Sequence, residues 1–238
     1  AIWERALGVD GIGLDDDFFA LGGDSILAIS VVARARRAGL GLSVRTLFTY
    51  PTIRELVPHL EHVAEAEDGA APGPVPLTPV QAWFFGLGLA RPDHWNQSVV
   101  ITTPVDLDPD RLARALADLT ARHDALRLRF DGDRQHLEAV APPVEVEVAA
   151  DLADVAAAVH GLIDLAEGRL VAAAVAGPRL LLVIHHLAVD AVSWPTLVDD
   201  LQARYDGEPL GPSTLSFAAW ARRGRPAEVH PRPAFNGP

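Results

Sequence analysis

The strongest constraint on this chain is a break in its composition. Between Glu65 and Pro76 the sequence is made almost wholly of Ala, Glu, Asp, Gly and Pro, with three prolines and two glycines close together. A stretch of that kind has too little apolar surface to build a core and reads as a connecting segment. It predicts a domain over residues 1–68, a linker over 69–75 and a second domain over 76–238. With 238 residues, 49% of them hydrophobic, there is enough apolar material for a core on each side of the break.

Composition narrows the functions open to such a chain. A formal charge of -12 and scattered arginines argue against a phosphate-backbone partner, so nucleic acid is not expected. No run approaches the roughly 20 apolar residues of a membrane span, and no basic segment leads into an apolar secretory core. A soluble, cytoplasmic protein without a membrane partner is the expectation. Cysteine is absent, which removes disulfides, zinc-thiolate sites and thiol nucleophiles. Methionine is also absent and the chain opens on Ala1, so a segment of something longer, or a processed chain, is expected.

Residues 1–68 read as helical. Ile2, Trp3, Ala6 and Leu7 form one apolar face, and Gly8 to Asp17 form a loop. A second helix should open near Ser25, where Ile26, Ile29 and Ala33 recur at helical spacing, and Gly39 should stop it. A short turn is expected over Val44 to Phe48. Thr52 lies three residues before Glu55, the capping-box spacing, so a last helix should carry Leu56, Leu60 and Val63 on one face. The whole is expected to be a small all-α, four-helix bundle.

Beyond the linker the pattern is mixed α/β. Strands are predicted over Ser98–Thr103, Ala125–Phe130, Val144–Val148, Leu170–Val175 and Leu180–Ile184, and helices over Asp110–His123, Leu152–Leu165 and Val192–Tyr205. Pro195 falls in the first turn of the last helix, where proline is tolerated.

Two places carry chemistry. Ser25 opens a helix after Gly22-Gly23-Asp24, where backbone amides and the helix dipole favour a phosphodiester; the plain alternative is that Asp24 or Ser25 is an N-cap. The second place is His185-His186, at the end of the apolar run Leu180 to Ile184, with Asp190 close behind. Adjacent residues of a strand point to opposite faces, so one imidazole is expected to reach a substrate. The pair admits three readings: structural residues, acid/base groups, or metal ligands with the carboxylate. The opposite facing weakens the metal reading, and no metal is expected. Asp15-Asp16 reads as solvated loop charge, His123 and Asp124 as structural, and Trp83, Phe84 and Phe85 as core aromatics.

Asp17-Phe18-Phe19, Leu21-Gly22-Gly23-Asp24-Ser25-Ile26, Leu47-Phe48 and Pro51-Thr52-Ile53 together resemble the peptidyl carrier domains of nonribosomal peptide synthetases. That resemblance implies a 4'-phosphopantetheine arm on Ser25, with Asp24 beside it, added by a phosphopantetheinyl transferase. The arm would carry an amino acid or peptide as a thioester, supplied by adenylation and condensation domains of the same assembly line.

His185-His186-Leu187-Ala188-Val189-Asp190 resembles the HHxxxD signature of the condensation and epimerization superfamily, in which the second histidine is functional. Pro76-Leu77-Thr78-Pro79-Val80-Gln81-Ala82-Trp83-Phe84-Phe85, His94-Trp95-Asn96-Gln97-Ser98 and Asp190-Ala191-Val192-Ser193-Trp194 resemble the epimerization branch, with Ala191 in place of a glycine. Arg122 to Arg127 is common to both branches. The resemblance implies a chloramphenicol-acetyltransferase-like N-terminal lobe, with His186 as the acid/base group and His185 and Asp190 as structural support. It also implies that a C-terminal lobe with a partner glutamate lies outside these residues. Four readings follow: a carrier with a truncated epimerization lobe, a half-enzyme completed by a chain supplying the missing lobe, a carrier with a docking lobe, or a peptide-bond-forming condensation domain.

Overall fold

The computed structural model describes residues 1–62, 71–211 and 215–224. Gly69 and Ala70 of the predicted linker, with Val63 and the tail after Gly224, lie outside the described residues. Among the described residues, 1–62 group into one compact unit with 191–203 and 207–211, and 71–190 group into another with 204–206 and 215–224.

In the first unit α1 (Ile2–Leu7) ends at Gly8, which takes a left-handed φ of 67°. α2 (Ser25–Arg37) packs Ala28, Val31 and Ala35 against Trp3, Phe18, Leu42, Leu47 and Leu56. α3 (Val44–Thr49), expected as a short turn, is a six-residue helix because Ser43 caps it, accepting from the Thr46 N–H at 3.0 Å. α4 (Ile53–Leu56) is capped by Thr52 as its spacing predicts, but it lasts a single turn. Pro58 has no N–H with which to continue the helix, so Val57–His59 is a 3₁₀ turn and Leu60 is already extended. That frees the chain to pair β2 (Glu61–His62) antiparallel with β1 (Leu40–Gly41).

The second unit contains two sheets. One runs β4 (Asn96–Thr102), β9 (Arg179–His185), β8 (Val171–Ala176), β7 (Val146–Val148); its pairings are antiparallel except β7 with β8. β8 is buried along its whole length and β9 nearly so, which explains their unbroken apolar runs. α7 (Leu152–His160) covers one face, with Leu152, Val159 and Ile163 against Ala172, Ala174, Leu181 and Val183. It stops at Gly161 instead of reaching Leu165 as predicted. α6 (Pro109–Arg122) is strongly amphipathic and starts at Asp108, whose carboxylate accepts from the Arg111 N–H at 2.9 Å.

The other sheet is β3 (Gly73–Val75), β6 (Arg134–Leu137), β5 (Leu128–Asp131), all antiparallel. β3 corrects the linker prediction at 73–75: this stretch is an edge strand, the one place in a sheet where Pro74 can sit without losing a ladder bond. The strand predicted over Ala125–Phe130 starts later, because Asp124–Arg127 is a 3₁₀ turn. α5 (Pro79–Gly86) and α9 (Phe217–Arg223) belong to this unit as well, whereas residues 194–203 of α8 (Trp194–Asp206) group with the first. Of the three aromatics expected in the core, Phe84 is buried and Phe85 partly so, whereas Trp83 is 44% exposed. Asp124 is structural as predicted: buried, it accepts from the Phe217 and Ala218 N–H groups, both at 2.8 Å, and holds the start of α9.

Candidate functional site

Asp24 is the N-cap of α2. Its Oδ1 accepts from the Ile26 N–H at 2.9 Å and the Leu27 N–H at 2.8 Å. Capping by the aspartate leaves Ser25 as the first helical residue, exposed and without a capping duty of its own. The approach to it is fixed from below. Gly22 has φ 93°, a left-handed backbone, and Gly23 runs so close to Phe18 that no side chain fits there. The glycines therefore set the turn, the aspartate starts the helix, and the serine hydroxyl stands at a helix N-terminus open to solvent.

The histidines belong to the other unit. Asn96 and Gln97 of β4 lie opposite His185 and Ile184 of β9. His185 is fully buried beside the Phe84 ring, 5.7 Å between centroids. The Leu187 N–H donates to its Nδ1 at 3.1 Å, so the proton of the neutral ring lies on Nε2 and is donated to the Pro92 carbonyl at 3.0 Å. Burial pushes the pKa of His185 below the ordinary value, with the Pro92 bond opposing. A buried ring with both nitrogens occupied ties two loops together.

His186 lies in the turn after the strand and is partly exposed. Its backbone N–H donates to the Trp95 carbonyl at 2.9 Å, extending the β4–β9 pairing by one bond. Nδ1 lies 2.8 Å from the Val189 carbonyl, an acceptor only, so this nitrogen carries the proton. Nε2 is then the bare lone pair, and the Gln97 side-chain amide nitrogen stands 3.1 Å from it. Leu187 and Ala188 of the turn, together with Trp95, pack on the core formed by Phe84, Leu128 and Phe130, which fixes the loop. Asp190 is exposed at the end of the same loop.

His185, His186 and Asp190 are thus brought together on one turn, with distinct jobs for the two rings. Gln97 and the Val189 carbonyl are contacts that the sequence alone did not single out. The signal for Gln97 was present in the alternation of β4, which puts it across the sheet from Asn96. A cavity of about 370 Å³, lined by Glu145, Asp164, Arg169 and Ala172 among others, does not include the histidines.

Residues 1–60 match the family described as "Phosphopantetheine attachment site", and residues 72–228 the family described as "Condensation domain". A linear gramicidin synthase protein of Brevibacillus parabrevis is 40% identical over 93% of this chain, which spans 5% of that protein's length. The crystal structure of the epimerization domain from the third module of tyrocidine synthetase B is similar at 29% identity and a TM-score of 0.61. It is matched over 66% of this chain and 42% of that one. The X-domain from teicoplanin biosynthesis is similar almost equally, at 28% identity and a TM-score of 0.55, over 66% of this chain and 39% of that one. The attachment-site match indicates 4'-phosphopantetheine as the cofactor, and an exposed serine at a capped helix start suits a phosphate-linked arm. By its sequence over residues 72–228 and the α/β sheets those residues build, the chain belongs to the condensation-domain family of nonribosomal peptide synthetases, preceded by a phosphopantetheine carrier domain.

Proposed function

We propose that the chain carries an aminoacyl or peptidyl group as a phosphopantetheine thioester on Ser25. The α/β lobe to which it is presented inverts that group from L to D at the α-carbon, with His186 as the acid/base. In this reading residues 1–68 are the peptidyl carrier, a small helical bundle of α1 to α4. Residues 76–238 are a chloramphenicol-acetyltransferase-like lobe, joined by β3 at its start. Its partners are a phosphopantetheinyl transferase and the adenylation and condensation domains of a cytoplasmic assembly line; neither membrane nor nucleic acid takes part.

The observation that carries the reading is the state of the His186 ring. With Nδ1–H fixed on the Val189 carbonyl, Nε2 is a base held in one orientation at a partly exposed turn. The α-proton of the thioester passes to Nε2, its C–H electron pair staying on the substrate as the enolate; the inversion is completed when a carboxylic acid of a second, C-terminal lobe, not among these residues, gives its proton to the opposite face and is left as the carboxylate. His185 holds the turn, and Asp190 closes the loop that carries Val189.

The test loads the phosphopantetheinylated chain with an L-aminoacyl group in deuterated water and follows deuterium at the α-carbon. Incorporation that falls by roughly 10²- to 10⁴-fold in His186→Ala is expected for a general base. Incorporation that appears only when a chain supplying a C-terminal lobe is added identifies a half-enzyme. A new amide bond to an added acceptor amine, without incorporation, identifies condensation. No reaction under any condition overturns the catalytic reading and leaves the carrier.

A further inference from the structure

We propose that Gln97 is a positioning residue for His186: its side-chain amide donates to the Nε2 lone pair of the Nδ1–H ring that Val189 fixes, and must give up that contact when Nε2 takes a proton. The proposal rests on the reading of His186 as the acid/base group.

Donors and acceptors around the ring fix its state. Val189 offers only a carbonyl to Nδ1, at 2.8 Å, so the ring proton is there. A neutral imidazole then has one lone pair, on Nε2, and an amide nitrogen 3.1 Å away can only donate to it. The two contacts together are compatible with a single state of the ring. In the imidazolium both nitrogens carry protons, and the Gln97 amide would face Nε2–H with its own N–H groups, two donors and no acceptor. A proton arriving on Nε2 therefore displaces the amide nitrogen. A half-turn about the last side-chain torsion, which is broad and roughly two-fold, brings Oε1 to the same place as an acceptor. Glutamine thus provides a partner for the base before proton transfer and for the acid after it.

The rest of the fold supports the assignment. β4 is paired to β9 over seven residues from Asn96 to Thr102, so the Gln97 backbone is fixed relative to His186. The titratable groups on the surrounding elements are His185 at the end of β9, Asp93 and His94 in the 3₁₀ turn Pro92–His94, and Asp190 in the loop. The side chain on Nε2 is a neutral amide, able to serve either ring state without fixing a charge.

The test reads the His186 ring directly, by ¹⁵N correlation spectra of the whole chain at neutral pH. The wild-type ring is expected as the Nδ1–H tautomer with Nε2 accepting a hydrogen bond. Gln97→Leu keeps that tautomer but moves the Nε2 resonance to that of an unbonded lone pair, and it slows α-deuterium incorporation by about 2- to 10-fold, the worth of one neutral hydrogen bond. Gln97→Glu presents an acceptor that cannot be exchanged for a donor, and drives the ring to the doubly protonated form. A wild-type ring found as the Nε2–H tautomer, or a Gln97→Glu ring unchanged from wild type, overturns the proposal. The wild-type spectrum decides even where the variants fail to fold. If it shows the expected tautomer while His186→Ala keeps full incorporation, the pairing stands and the acid/base reading falls.

Discussion

Gly23→Ala probes the turn that presents Ser25. A Cβ at this position would lie within 2.5 Å of the Phe18 ring and at 2.5 Å from the Phe18 carbonyl oxygen. Ordinary contact begins at 3.4 Å, so both must give by about 1 Å. Neither is placed to do so. Phe18 is fully buried, with the Trp3 ring 5.1 Å away edge-on and the Phe19 ring at 5.2 Å, and its carbonyl accepts the Gly23 N–H at 2.9 Å. Overpacking of this kind costs about 1–3 kcal/mol, and loss of the hydrogen bond adds about 0.5–1.5 kcal/mol. For a unit of this size the sum, about 2–4 kcal/mol, lowers the melting temperature by roughly 10–25 °C. Gly22→Ala is the control. Nothing lies within 4 Å of its added Cβ, and only its φ of 93° is at stake, worth about 1–2 kcal/mol. Urea unfolding followed on the α2 amide resonances should rank wild type above Gly22→Ala above Gly23→Ala. A Gly23→Ala variant as stable as Gly22→Ala would refute the claim that Phe18 and Gly23 are locked together.

Two further outcomes follow from the second unit. Asp124→Ala leaves the Phe217 and Ala218 N–H groups without their acceptor, at about 1–3 kcal/mol each, limited by the cost of releasing α9. Hydrogen exchange should then show those amides losing protection, and unchanged protection would contradict it. His185 is pushed below its ordinary pKa chiefly by burial, so the unfolded chain binds that proton more readily than the folded one. Stability is therefore lost as pH falls below about 6.5, the unfolded value, with His160 shifted in the same direction by burial and adding to the loss. Urea midpoints should decline from about pH 7.5 to about pH 5.5, less steeply in His185→Gln, whose amide can still donate to Pro92; an identical slope would show that His185 is not the group responsible.

What the sequence disclosed was set by how local the determining interaction is. The apolar run of β9, the amphipathic stripe of α6 and the Thr52 to Glu55 cap are written in neighbouring residues, and all three appear in the structure. α5 is encoded locally as well: Thr78 and Gln81 form a complete capping box and Pro79 takes the first turn. β6 is four residues of largely polar text, Arg134–Leu137, and is a strand because β3 and β5 pair with it on both sides. No local pattern encodes that. At the candidate site, the sequence marked His185, His186 and Asp190 but not their division of labour. That division depends on which carbonyl each ring meets: Pro92, some ninety residues away, for His185, and Val189, three residues on, for His186. The role of Asp24 shows the same limit in a milder form. The cap was legible, yet only the geometry decided that the aspartate takes it and leaves the serine exposed.

Ser25 is the proposed tether from which everything downstream is presented. Mass spectrometry of the chain after incubation with a phosphopantetheinyl transferase and coenzyme A tests this most directly. The expected result is a gain of one phosphopantetheine, located on the peptide that contains Ser25 and absent from Ser25→Ala. A gain that persists in Ser25→Ala, or no gain on a folded wild-type chain, would contradict it.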